Sequence, residues 1–93
     1  MKAVLNHNLI AESDDVVDCD GYQYFPPSAV RLEWLEKAPK TKSDLACPHG
    51  VQFYDVVIEG VRAPRAAWVY EAPLAAKQKT KDRFGFWHEV RVE

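Results

Sequence analysis

The sequence predicts a mainly β fold, a small domain of two antiparallel sheets with one or two short helices. Short runs rich in β-branched and aromatic residues recur along the chain, separated by turn dipeptides such as Asp20-Gly21 and Glu59-Gly60. Helical patterns are brief and do not alternate with strands as a doubly wound parallel sheet requires. Aromatic residues are dense, with three Trp, four Tyr and four Phe in 93 residues, which suits two sheets packed around a ring-lined core or cleft.

The elements follow in order. Ala3-Val4-Leu5 and Leu9-Ile10-Ala11-Glu12 flank Asn6-His7-Asn8, and asparagine tolerates left-handed φ, so the tripeptide closes a hairpin. Ser13-Asp14-Asp15 is the next turn. Val16 to Cys19 and Tyr22 to Phe25 flank Asp20-Gly21, the strongest hairpin signal in the chain. Pro26-Pro27 ends that hairpin, since proline cannot donate to a ladder. Ser28 stands at an N-cap position, and Val30, Trp34 and Leu35 share a helical face, which predicts a short helix over 28–36. Alternation of Leu32 and Trp34 with Arg31 and Glu33 also suits a strand, though the helix is the preferred reading. Ala38 to Ala46 reads as a polar loop.

In the second half, Val51 to Ile58 is a strand and Glu59-Gly60 turns it. Residues 61–64 read as irregular, and Ala66-Ala67-Trp68-Val69-Tyr70 resumes extended structure. Pro73 suits a first helical position, and Leu74 to Lys81 is rich in helix formers, so a second short helix is expected. Phe84 to Val92 closes the chain as a strand.

Length supports a single domain spanning 1–93. Twelve basic residues face fourteen acidic ones, a formal net charge of −2, so the basic excess of a nucleic-acid binder is missing. The cluster Lys77, Lys79, Lys81 and Arg83 is diluted by Asp82 and reads as a solvated face. Two cysteines are too few for a disulfide scaffold. The first residues lack the apolar run of about 7–15 residues that a signal peptide needs, and no stretch approaches the roughly 20 of a spanning helix. A soluble cytoplasmic protein with reduced thiols and no membrane association is the expectation.

Cys47-Pro48-His49 is the most reactive-looking tripeptide, because a nearby imidazolium can lower a thiol pKa. The simpler account makes Cys47 a small apolar anchor of a turn. Asp14, Asp15, Asp18 and Asp20 form an acidic stretch that could hold a divalent ion, but turn chemistry accounts for most of it. No metal site is predicted, since Cys19, Cys47, His7, His49 and His88 include no Cys-x-x-Cys pair. Trp68 and Tyr70 share one face of a strand, and Tyr24 and Trp34 are candidates to face them.

The ligand-binding candidates are therefore Asp20, Tyr24, Cys47, His49, Trp68 and Tyr70, with the tyrosine hydroxyls expected to point toward solvent. A small molecule held in an aromatic-lined cleft is the leading reading of function. The alternative is a non-catalytic interaction module that uses an aromatic patch or an edge strand. No catalytic residue, cofactor or oligomeric state is assigned.

Three ordered segments carry a family resemblance. They are Leu9-Ile10-Ala11-Glu12-Ser13, Asp20-Gly21-Tyr22-Gln23-Tyr24-Phe25-Pro26-Pro27, and Ala66-Ala67-Trp68-Val69-Tyr70 with Pro73, and the close from Phe86-Trp87 to Val92 fits as well. The chain resembles the domain-of-unknown-function family 427, labelled nucleotidyltransferase-like in some classifications. The resemblance implies a small β-rich tent of two antiparallel sheets. The family pattern of an acidic residue and Gly before Tyr-Phe-Pro is matched by Asp20, Gly21, Tyr24, Phe25 and Pro26. Its Cys-Pro is matched by Cys47-Pro48. The aromatic and the lysine that follow in the pattern are missing, and His49-Gly50 come directly. If that lysine touched a phosphate or acid in relatives, this chain has lost it or replaced it with His49.

Overall fold

Three two-residue turns with left-handed backbone set the hairpins. In the computed structural model, which describes residues 1–93, Asn6 and His7 (φ 49° and 68°) join β1 (Lys2–Leu5) to β2 (Asn8–Glu12). Asp20 and Gly21 (φ 54° and 84°) join β3 (Val17–Cys19) to β4 (Tyr22–Tyr24). After β5 (Leu35–Lys37), Glu59 and Gly60 (φ 49° and 82°) join β6 (Val51–Ile58) to β7 (Val61–Tyr70). Positive φ at both central residues is the type I′ geometry, whose twist matches that of the flanking strands. The chain closes with β8 (Gly85–Phe86) and β9 (Arg91–Val92).

The fold is mainly β, and its strands divide into three antiparallel sheets rather than two. Their orders are β2-β1-β9, β3-β4 and β5-β6-β7-β8. The β3–β4 hairpin stands apart because Ser13–Asp15 turns the chain before it and Pro26-Pro27 stops it afterwards. Just past β4, a backbone bridge from Phe25 to Phe84 joins this segment to the rest.

The four-stranded sheet is covered on both faces. On one face, Val56, Ala67 and Val69 join Ala3, Leu5 and Ile10 of the first sheet in the main core, with Phe25, Phe84 and Phe86. On the other, Val51 and Trp68 pack against Tyr24 of the β3–β4 hairpin. A register shift opposite Ala3 and Val4 leaves Ile10 as the extra residue of β2, so Ile10 and Ala11 are both buried although consecutive.

Several local expectations give way to pairing. The helix expected over 28–36 is two 3₁₀ turns, Pro27–Ala29 and Leu32–Trp34, followed by β5. Val30 bridges Ala11, and Leu35 to Lys37 pair with Val56 to Tyr54, which demands extended backbone. The polar loop contains α1 (Lys42–Leu45), started by a reciprocal capping box. The Asp44 N–H donates to Thr41 Oγ1 at 3.2 Å, and the Thr41 N–H donates to Asp44 Oδ2 at 3.0 Å.

Residues 61–64 are extended, because β7 crosses Pro64 through a bulge opposite Asp55. Arg65 takes φ 54° there and its N–H donates to Asp55 Oδ1 at 2.9 Å. The second helix is a 3₁₀ segment, Ala75–Thr80, kinked at Lys77. The closing strand breaks between β8 and β9, where the Val90 N–H bonds the Trp87 carbonyl and His88 has φ 58°. No helix is long and apolar enough to cross a membrane.

Candidate functional site

Alternation along β7 sends Trp68 and Tyr70 to the face covered by the β3–β4 hairpin. Tyr22 and Tyr24, on one side of β4, meet the Trp68 indole with ring centroids 5.1 and 6.0 Å apart, both edge-on. Tyr24 lies 6.2 Å from Tyr70, and the His49 ring lies 5.4 Å from Tyr70. Cys19 and Cys47 are half-buried free thiols packed against the same cluster. Trp87 and Phe53 extend the aromatic layer, 5.0 and 6.3 Å from Trp68.

The turn bearing Cys47 and His49 is fixed from both sides. Before it, Asp44 is buried and takes both guanidinium nitrogens of Arg65, at 2.8 and 3.0 Å, so α1 is tied to the β7 bulge. Those bonds, with the Thr41 bonds, hold the Asp44 carboxyl down at about 2 despite its burial. After it, the Glu71 N–H donates to the Gly50 carbonyl and the Ala72 N–H to the His49 carbonyl, at 3.0 and 3.1 Å. The Leu74 N–H donates to His49 Nδ1 at 2.9 Å. A neutral His49 therefore carries its proton on Nε2.

Lys77, midway along the kinked 3₁₀ segment, completes the rim. Its ammonium donates to Asp20 and stands 5.3 Å over the Tyr70 ring. The Lys77 bond lowers the Asp20 pKa, and the same bond raises that of Lys77. Burial pushes the Tyr24 phenol well above its ordinary value, so it is a neutral hydroxyl. The Trp68 indole N–H, directed toward the Tyr24 oxygen, works against that rise, although the two fall outside hydrogen-bond geometry. Trp68 Nε1 is buried without a hydrogen-bond partner. Buried polar groups are nearly always paired, so this one singles out the spot.

The structure thus gathers all six candidates: Tyr24, Cys47, His49, Trp68 and Tyr70 directly, and Asp20 through Lys77. Trp34 does not join them. It packs against the main core, with the Arg31 guanidinium 5.0 Å from its ring. Of the two tyrosines, Tyr70 keeps partial exposure, while Tyr24 is 1% exposed, so its hydroxyl does not face solvent. The acidic stretch is dispersed: Asp15 pairs with Arg83, Asp18 accepts from Gln23, and Asp20 pairs with Lys77.

Beyond the six candidates the cluster takes in Tyr22, Phe53, Trp87 and Cys19, and Lys77, whose basic run reads in sequence as a solvated face, joins its rim. Lys77 lies 57 positions from Asp20, so no local pattern could pair them. Alternation would have found Cys19, which sits opposite Tyr22 across the hairpin.

Fold and site define a small β domain of three antiparallel sheets with an aromatic, thiol-bearing cluster on one face of its main sheet. The family described as Domain of unknown function (DUF427), NTP_transf_9, matches residues 1–93, and the chain belongs to it. No curated protein matches the chain.

Proposed function

We propose that this domain binds a small anionic organic molecule at the rim formed by Lys77, His49 and Tyr70, with Trp68 and Tyr24 beneath. The observation that carries this reading is the buried Trp68 N–H without an acceptor. Around it stand two nitrogen donors, the Lys77 ammonium and the His49 Nε2–H, and the tyrosine hydroxyls, which both donate and accept. The one anionic acceptor on Lys77 is Asp20, whose side chain is 64% exposed and exchangeable. A ligand carboxylate or phosphate would take its place, and an apolar body would enter among the rings. Entry requires the 75–80 segment to shift, which suits a short, kinked 3₁₀ run.

The test is a titration with phenyl phosphate and with benzoate, using benzyl alcohol as the neutral control. The indole ¹H–¹⁵N resonance of Trp68, assigned with Trp68→Phe, should move saturably with the anions only. Lys77→Met should weaken binding about fivefold or more, the loss of one charge-assisted bond. An unmoved indole resonance, or equal affinity in Lys77→Met, would refute the proposal.

A further inference from the structure

The opposite face of the main sheet carries a second feature of different chemistry. Val69, one residue from Trp68 and Tyr70, points the other way and floors a groove of about 410 Å³. Leu35, Tyr54 and Phe84 extend the apolar floor, Pro27 and Leu32 line it as well, and the carboxylates of Glu71 and Asp82 stand in the lining. The volume lies within the roughly 300–1,000 Å³ of small-molecule sites. The floor is rigid: Val69 and Phe84 are buried core residues, and the Tyr54 and Phe84 rings pack edge to face at 5.3 Å.

The charges are unbalanced toward the negative. Glu71 shares an ion pair with Lys40 at 3.3 Å, while Asp82 has no cation partner. Asp82 is held in place by left-handed backbone (φ 60°) and by its N–H bond to the Tyr70 carbonyl at 3.2 Å. The Tyr54 phenol stays neutral, because burial and then the Glu71 charge push its pKa up. The groove therefore offers an apolar bed, one neutral hydroxyl and an unpaired carboxylate.

We infer that this groove is a second binding site, for a small organic amine whose apolar body lies on Val69, Leu35 and Phe84. Its ammonium pairs with Asp82, with Glu71 adding to the attraction. The groove lies on the other face of β7 from the anion site, and the charge preferences of the two are opposite.

The experiment is a ¹⁵N-edited NMR titration with 2-phenylethylamine, run beside 3-phenylpropionate and n-propylbenzene. The amine should shift the amides of Val69, Asp82 and Phe84 saturably, and the carboxylate should not. Asp82→Asn keeps a residue that tolerates left-handed φ, so the fold is retained. This variant should bind the amine about two- to fivefold more weakly, the range of an exposed ion pair. Added salt should weaken the native site and affect the variant less. Amine-induced shifts outside the groove, equal binding of 3-phenylpropionate, or unchanged affinity in Asp82→Asn would each overturn the inference.

Discussion

Gly85 offers a sharp test of how Trp68 is held. It pairs with Trp68 across the β7–β8 ladder, and the indole lies directly over its Cα. A Cβ built at this glycine would sit 2.7 Å from Cζ2 and 2.8 Å from Cε2 of Trp68. Carbon atoms pack best at about 3.5–4.0 Å, so the ring must move by nearly an ångström. Both neighbours are buried and Trp68 is enclosed by Tyr22, Tyr24 and Trp87, so the ring has little freedom to yield.

Overpacking a core costs about 1–3 kcal/mol. Against this, Gly→Ala reduces unfolded-state entropy and returns about 0.4–1 kcal/mol. Gly85→Ala should therefore lose about 1–2 kcal/mol and lower the Tm by roughly 5–15 °C, at about 4–8 °C per kcal/mol for a domain of this size. Urea unfolding of Gly85→Ala, Trp68→Phe and the double variant closes a cycle. In the Trp68→Phe background the alanine penalty should fall below about 0.5 kcal/mol, since the clashing indole atoms are gone. A native-like stability for Gly85→Ala, or an undiminished penalty in the double variant, would refute the reasoning.

Further predictions follow from single residues. Gly21→Val should cost more than about 1 kcal/mol by chemical denaturation, with Gly21→Ala milder, because φ is +84° and nothing lies within 4 Å of an added Cβ, which leaves backbone strain alone. Asp44 is held below its ordinary value, so its contribution is complete above about pH 4 and is lost as pH falls toward about 2. Urea midpoints should thus drop by the equivalent of about 2 kcal/mol across that window, with a flatter profile in Asp44→Asn, which is itself less stable at neutral pH. Native Cys19 and Cys47 should react with a thiol reagent without prior reduction, and mass spectrometry after alkylation should count two modified thiols, since both are free and half-buried.

What could be read from the sequence was local. Asn6-His7-Asn8, Asp20-Gly21 and Glu59-Gly60 were legible as turns because each offers residues that accept positive φ, although the first closes on Asn6-His7 alone and Asn8 opens β2. The hairpins they close, and the sharing of one face by Trp68 and Tyr70, follow from the two-residue period of a strand. Even the family-like motifs around Tyr24, Cys47 and Trp68 marked segments that meet in space.

The tertiary structure decided everything that depended on a distant partner. Residues 28–36 had helical spacing, yet the ladder to β6 claimed Leu35–Lys37, and a few turns of intrinsic propensity cannot outweigh lost pairing. Pro64 looked like a break, but a bulge and the Asp55 carboxylate supply what the ladder lacks there. The helix-prone run Ala75–Thr80 became a kinked 3₁₀ segment, and Lys77 within it reached Asp20, turning an apparent surface charge into a site residue. The burial of Tyr24 and the orphaned Trp68 N–H depend on the β3–β4 hairpin closing over the main sheet, a docking between segments some 45 residues apart that no local pattern encodes.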